Sequence, residues 1–428
     1  MDQATEGACG LACGFESAIR RRLRRCSPRL LAISTGSTLM LGLPGLASAH
    51  VRWFSQGADD KALPEPLTAV ATSPVFVALL VLALAVIGCV RLVDLRLAAG
   101  NSRFMHVLRR IDSRMSLQAA RVLRLGCASY FASIALYFRD APITLTPELK
   151  SPGHWVVPLQ LAIAAGMLLP AGVIPACAGM VLLYLYSVHL YGVVHLLDYH
   201  LFFGVCAFLV LDRLSHERGA ASGLLALRLL VSTSFLWVGV EKWLYPEWTC
   251  EILEHQLPML TMGIDPDFWA MAAGFVEVAL AFLMLFGAAS AQVAAAALLV
   301  LMASAVPLAG AVDGIGHLPM IAALAVLATT RSRVPRSLEG HASWQAADLC
   351  SAFLVGVAGV AGLYYLAHEF GAGKPVSIAQ TWPDVLLAAL ASLALGMWVT
   401  RAIRRNRRGG ARSAILRRGE DGPRQRPV

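Results

Sequence analysis

Residues 225–243 read LALRLLVSTSFLWVGVEKW, and this stretch decides the fold class. It is long enough to cross the hydrocarbon core of a bilayer as one helix, and its only charged residues, Arg228, Glu241 and Lys242, lie near its two ends. Comparable apolar runs follow one another along the chain, which has 428 residues and is 57% hydrophobic. They lack the period-two alternation of a membrane β-barrel. The sequence therefore predicts an all-α, polytopic bundle of transmembrane helices.

About eleven membrane spans are predicted after a signal sequence, in three regions. Residues 70–212 form a five-span region with a histidine-rich outer hairpin, residues 223–330 a compact group of four spans, and residues 347–401 two C-terminal spans. Residues 104–120 mix arginine with apolar positions at helical spacing, which predicts an amphipathic helix on the inner membrane surface. The spans are predicted at 70–91, 122–138, 154–170, 173–191, 196–212, 223–241, 268–287, 290–310, 316–330, 347–368 and 383–401.

Residues 1–49 predict a signal sequence. A basic stretch at 20–29 (RRRLRRCSPR) precedes a short apolar segment and Ala47-Ser48-Ala49, which matches the small-residue pattern of a cleavage site. Cleavage there would leave residues 50–69 as a short periplasmic N-terminus that begins with His50. An N-terminal histidine can bind copper through its α-amine and its ring, as in a histidine brace. The alternatives are that this histidine follows the cleavage site by chance, or that the signal stays as an uncleaved first helix.

The distribution of positive charge predicts the orientation in a bacterial cytoplasmic membrane. Segments assigned to the inner side contain 23 Lys and Arg, and segments assigned to the outer side contain six. The mature N-terminus is therefore predicted outside, and the basic tail, residues 402–428, in the cytoplasm. Since most of the net charge of +9 lies in that tail, the basicity sets the topology and does not indicate nucleic-acid binding. The lipid bilayer is the first partner expected, with other membrane or periplasmic proteins as possible further partners.

Four charged residues are candidates for a buried polar site. A charged side chain near the centre of a membrane helix costs roughly 2.5 to 3.5 kcal/mol, so it needs a partner or a polar cavity. Glu277 lies well inside its predicted span, and Arg228 lies near the inner end of another. Glu241 and Lys242 close that span at the outer face, where an interface anchor is the alternative. No catalytic residue can be assigned, because the common nucleotide-binding, hydrolase and zinc-protease motifs are absent.

Histidines gather at one level of the predicted topology. His189, His195 and His200 lie in and beside one short outer hairpin, in the sequence SVHLYGVVHLLDYHLFFG, and His317 lies at the outer end of a later span. Imidazole is a common ligand of Zn, Cu and Fe and also transfers protons near neutral pH. These four residues, together with His50, are therefore candidate metal ligands or members of a proton relay. The alternative is a hydrated, hydrogen-bonded interface.

The segment 223–330 resembles the DoxX family of four-helix membrane modules. The matching features are an arginine early in the first helix (Arg228), Lys242 at its end, a glutamate early in the second helix (Glu277 in AGFVEVALAFLMLFG), and a histidine at the outer end of the fourth (His317). The family's namesakes include a membrane subunit of an archaeal thiosulfate:quinone oxidoreductase. The resemblance thus implies a four-helix module with a redox-support role close to a quinone.

Three functions remain open from the sequence. The first is a DoxX-like membrane protein that supports a redox or quinone-linked process. In that case Arg228 and Glu277 would form the buried polar core, and quinone would be the cofactor. The second is a transporter or sensor of a metal cation such as copper, which would use the outer histidines and the acidic residues of the outer loop 241–267. The third is a non-catalytic membrane scaffold.

Overall fold

The structure is a computed structural model that describes most of the membrane region. The described residues are 64–99, 102–214, 218–255, 261, 263–309, 311–331, 346–371 and 382–398. The signal sequence, His50 and the basic tail lie outside these ranges. Within them, the regular secondary structure is helical, with one isolated β-bridge between Ile143 and Lys150.

The helices are numbered in chain order. They are α1 (Leu67–Thr72), α2 (Pro74–Ala99), α3 (Arg103–Met115), α4 (Ala119–Tyr137), α5 (Val156–Leu168), α6 (Val173–Tyr191), α7 (Leu201–Leu214), α8 (Arg218–Leu244), α9 (Pro246–His255), α10 (Pro266–Phe286), α11 (Ser290–Ala309), α12 (Ala311–Gly316), α13 (Leu318–Thr329), α14 (Ala346–Gly371) and α15 (Trp382–Trp398). Two 3₁₀ turns, Pro170–Gly172 and His195–Tyr199, connect α5 to α6 and α6 to α7.

Each of the eleven predicted spans corresponds to one of these helices. In the described ranges, six helices are long and apolar enough to cross a membrane, namely α2, α4, α6, α8, α10 and α14. The helices α5, α11, α13 and α15 are apolar but shorter. The chain is therefore an all-helical, multi-pass membrane protein, and the number of eleven spans stays a prediction. The predicted amphipathic helix forms as α3, whose Ser102 side chain accepts from Met105 N at its start.

Two groups of four helices form the centre of the molecule. In the first group, α4 packs on α5, α5 on α6, α6 on α7 and α7 on α4. In the second, α8 packs on α10, α10 on α11, α11 on α13 and α13 on α8. The second group corresponds to the four spans predicted at 223–330. The first group accounts for four of the five spans predicted at 70–212.

The remaining long helices pack mainly on the second group. α2 precedes the first group in sequence, but it contacts α10 and α14. The reason is aromatic packing, because Phe76 of α2 lies with its ring centroid 5.2 Å from that of Trp243 and 4.9 Å from that of Phe275. α14 contacts α2 and α8. α15 in turn approaches α14, where a methyl group added to Gly359 would lie 2.4 Å from Leu395 Cβ.

The two groups pack against each other through their first and fourth helices. α7 packs on α8, α4 packs on α13, and α7 also touches α13. Small residues permit this approach: a methyl group added to Gly126 would lie 2.5 Å from Ala322 Cβ, and one added to Gly204 would lie 3.0 Å from Leu230 Cβ. The bundle thus has two ends. Arg124 and Arg228 lie at the arginine end, and the turns that hold His195, His200 and His317 lie at the histidine end.

Candidate functional site

A buried ion pair joins α8 to α10. Lys242 Nζ lies 2.7 Å from Glu277 Oε2, and the two side chains are 8% and 15% exposed. The helices meet closely here because Gly239 and Gly274 face each other. A methyl group on Gly274 would lie 2.7 Å from the carbonyl oxygen of Gly239. The pair satisfies both charges, which neither side chain could bear alone at this depth.

Glu241 lies beside this pair and faces a different helix. It is 1% exposed, and its Oε2 accepts a hydrogen bond from the Tyr364 hydroxyl of α14 at 3.1 Å. The Tyr364 ring stacks on the imidazole of His368, with centroids 4.2 Å apart. Tyr245 closes the group, because its hydroxyl lies 3.5 Å from His368 Nδ1. Carboxylate, phenol and imidazole groups thus surround the end of α8.

Arg228 does not pair with Glu277, contrary to the polar core predicted from the sequence. Its guanidinium donates to the carbonyl oxygens of Met284, Leu285 and Gly287, at the C-terminal end of α10. These carbonyls have no partner within their own helix, so the cation satisfies them and complements the negative end of the helix dipole. Arg228 therefore fastens the arginine end of the second group, whereas Glu277 belongs to the cluster near the other end.

Asp94 fastens the same end from α2, and sequence analysis missed it. Its carboxylate accepts from Ala288 N at 3.0 Å, Ser290 N at 2.9 Å and the Ser290 hydroxyl at 2.6 Å. A carboxylate at the start of α11 is favoured by the helix dipole and by the unpaired N–H groups there. The available signal was an isolated aspartate at the end of a long apolar run.

The histidines lie in separate environments. His189 is exposed, and His195 stacks on Tyr191 with its Nε2 3.3 Å from Glu148 Oε1. His200 Nε2 lies 2.6 Å from the Thr233 hydroxyl of α8, and its Nδ1 contacts the carbonyl oxygen of Leu197. His317 is buried directly before α13.

The histidines are not brought together as a metal site. Among the described residues, no group of three or more His, Cys, Asp or Glu side chains could hold a metal ion. The proposed copper ligand His50 lies outside those residues. Metal binding by the histidines therefore gains no support from the described geometry.

The fold and these clusters define the class of protein: a multi-pass helical membrane protein in which charged residues are paired inside the bundle. Within that class, the DoxX family model matches residues 223–311. The match covers α8, α10 and α11, including Arg228, Lys242 and Glu277, and it ends before His317. This part of the chain is therefore DoxX-like, as the sequence predicted. No curated protein and no solved structure matches the chain.

Proposed function

We propose that this protein is a DoxX-type membrane subunit that supports a quinone-linked redox process in a bacterial cytoplasmic membrane. The observation that carries the proposal is the buried pair of Lys242 and Glu277, with Glu241, Tyr364 and His368 next to it. Buried ionisable groups are costly in a membrane protein and are found where ions, protons or polar ligands are handled. In the proposed orientation, the mature N-terminus lies outside the membrane and the C-terminus lies in the cytoplasm.

The chemistry of a quinone fits this set of side chains. Reduction of a quinone to a quinol takes up one proton for each electron, and oxidation releases them. The ammonium group of Lys242 and the hydroxyl of Tyr364 can donate to a quinone carbonyl, and the carboxylates and the imidazole can exchange protons. In this proposal, the electrons come from a redox protein that binds the subunit, so the chain acts within a complex.

Quinone binding can be measured directly. The protein is purified in lipid nanodiscs, its lipids are extracted, and the bound quinone is quantified by its redox difference absorbance. We expect quinone to copurify with the wild type and to be lost from Glu277→Gln. The matched control is Glu254→Gln, which removes an exposed carboxylate from α9 and should retain quinone.

Two results would contradict the redox role. One is wild-type protein without quinone that also fails to bind added quinone. The other is equal loss from both variants, because binding would then not depend on the buried cluster. The first result would leave the scaffold function as the better explanation, and the second would exclude the buried cluster as the quinone site.

A further inference from the structure

Each group of four helices has the same kind of contact at its arginine end. In the first group, Arg124 of α4 donates from Nε to Met167 O at 2.6 Å and from Nη2 to Leu168 O at 2.8 Å, at the end of α5. In the second group, Arg228 of α8 donates from the same two nitrogens to Met284 O and Leu285 O, at the end of α10. In both groups, an arginine of the first helix thus caps a Met-Leu pair in the last turn of the second.

Spacing along the sequence extends this correspondence. Gln160 and Glu277 each precede the capped methionine by seven residues, and His200 and His317 each follow it by 33. Each histidine comes directly before the fourth helix of its group. The first group therefore has the plan of the DoxX-like group, with Gln160 in the place of the charged Glu277.

The contacts between the groups obey an approximate twofold relation. The fourth helix of each group packs on the first helix of the other, since α7 contacts α8 and α13 contacts α4. The connections before the fourth helices follow the same rule, because the turn His195–Tyr199 contacts α8 and α12 contacts α4. Repeats with an even number of helices are related by an axis along the membrane normal, and sites in such proteins lie where the repeats meet. The contact of α7 with α13 lies on this axis.

A cleft opens at this junction, at the histidine end. It has a volume of about 20 Å³, and both groups contribute equivalent positions to its lining: Tyr199 and Phe202 from the first, and Gly316 and Pro319 from the second. Asp198 and His317 also line it, and they are 7% and 8% exposed. The cleft is thus small, polar on one side and mostly shielded from solvent.

Thr146 supplies the observation that points to an occupant. Thr146 lines the cleft and is 3% exposed, and its Oγ1 has no hydrogen-bond partner in the protein. A buried hydroxyl normally bonds to protein or to an ordered water. A cavity of at least about 10–15 Å³ with two to four polar partners is sufficient for one water molecule. The cleft provides both the volume and the partners.

We propose that this cleft is a proton-exchange site that holds one water molecule among Thr146, Asp198 and His317. Tyr199, which lines the cleft, donates to Glu148 Oε1, and the same oxygen lies 3.3 Å from His195 Nε2. His195 is partly exposed, so this path leads from the cleft to the surface. The water accepts one proton from one side and donates one of its own protons to Asp198 or His317 on the other, so it stays neutral and charge and atoms balance. The site is separate from the proposed quinone cluster and does not depend on it.

Gln160, which occupies in the first group the position that Glu277 has in the second, holds this path in place. Gln160 Nε2 donates to Ile143 O at 2.7 Å and to Thr144 O at 2.9 Å. These bonds fix the start of the loop that carries Thr146 and Glu148. The uncharged Gln160 therefore holds a loop in the first group, whereas Glu277 forms an ion pair with Lys242 in the second.

The test is nuclear magnetic resonance of the full-length protein in nanodiscs with ¹⁵N-labelled histidine. The His317 signal is assigned by its disappearance in His317→Gln. We expect magnetisation transfer between water and the His317 imidazole in the wild type, and its loss in Thr146→Val, which removes the hydroxyl and keeps the side-chain shape. The matched control is Thr249→Val, because Thr249 Oγ1 is also buried without a partner but lies outside the cleft lining.

A second pair of variants tests the path to the surface. Tyr199→Phe removes the hydroxyl that donates to Glu148 and should slow the exchange of the His317 imidazole proton with solvent. Tyr191→Phe is the control, since its hydroxyl donates to Lys150 O outside the cleft. Wild-type protein without water contact at His317 would overturn the proposal, and this measurement needs only the assignment variant His317→Gln. Equal effects of the test and control variants would overturn it as well.

Discussion

Lys242 is a buried cation in the second group, and Glu277 is its partner. Its ammonium nitrogen lies 2.7 Å from Glu277 Oε2, so one side chain from each helix forms the contact. A buried pair of this kind gains little over a well-packed apolar pair, because both ions lose their hydration on folding. Loss of one partner has a much larger effect, because the remaining charge stays buried.

The first prediction concerns this asymmetry. Lys242→Met is expected to lower the free energy of unfolding by about 3–5 kcal/mol, because it leaves Glu277 without its cation. The double variant Lys242→Met, Glu277→Met should recover most of that loss. Thermal unfolding in nanodiscs provides the measurement. The control is Arg139→Met at the exposed pair of Arg139 and Asp140, which should change nothing measurable. A double variant as unstable as the single one would contradict the argument.

The second prediction concerns Cys250 on α9, outside the membrane spans. Burial, assisted by a hydrogen bond to Asp267 Oδ1 at 3.2 Å, raises the pKa of the Cys250 thiol to about 12. Only the thiolate reacts, so maleimide labelling of a single-cysteine variant should be slow at neutral pH and should accelerate as the pH rises towards that pKa. Asp267→Asn removes a negative charge, lowers the pKa and should accelerate labelling at neutral pH. Glu247→Gln, which removes a carboxylate from α9 itself, should not accelerate labelling.

At the scale of helices, glycines determine where α8 and α10 meet, because they let the two backbones approach closely. Gly274 lies where a methyl group would be 2.4 Å from Trp243 Nε1 and 2.7 Å from the carbonyl oxygen of Gly239. Alanine is otherwise the better helix former by about 1 kcal/mol. A Gly→Ala change should therefore lower the free energy of unfolding where a neighbouring helix occupies the place of the methyl group, and raise it where that place is empty.

The third prediction uses this sign. Gly274→Ala should destabilise the protein by about 1–3 kcal/mol, because backbone and indole must move apart. Gly396→Ala in α15 has nothing within 4 Å of the added methyl group, and it should be neutral or stabilising. The midpoint of thermal unfolding distinguishes the two. Equal destabilisation by both would contradict the argument, because helix propensity favours alanine at both positions and the added methyl group at Gly396 meets no neighbour within 4 Å.

The fourth prediction concerns the arginine caps of α5 and α10. Arg124→Ala and Arg228→Ala should each lower stability, by about 1.5–3 kcal/mol for each charged hydrogen bond lost. Arg228→Lys should recover only part, because lysine lacks the fork that contacts several carbonyls at once. Arg121→Ala removes an arginine one turn away whose side chain makes an exposed hydrogen bond to Gln118, and it should leave the unfolding temperature unchanged. Full recovery by lysine would contradict the capping geometry.

Helix positions followed from the sequence more readily than helix partners. Apolar length alone predicted α6 at 173–191, where the structure has it. The partner of Glu241 lies 123 residues away in α14, and no local pattern identifies Tyr364 among the aromatic residues of the apolar runs. The correspondence of the two groups was also missed, because the shared positions are single residues such as Arg124 and Arg228 within otherwise different apolar sequences.

At the scale of the whole molecule, orientation is the property that the helix arrangement leaves open. The fifth prediction places the tail after α15 in the cytoplasm, because the arginine end carries most of the positive charge. A green fluorescent protein fused after Val428 should fluoresce, and alkaline phosphatase fused there should be inactive. Alkaline phosphatase fused after Lys374, in a predicted outer segment, should be active. The reverse pattern would overturn the orientation and with it the external position of the histidine end.

The order of the two helix groups along the chain has a consequence for biogenesis. All four helices of the first group are made before α8, and their contacts with one another are local in sequence. This group can therefore close while the ribosome is still translating the second, as N-terminal units commonly do. The nascent second group then meets an assembled surface of α4 and α7, which serves as an intramolecular template for the insertion and docking of α8 and α13.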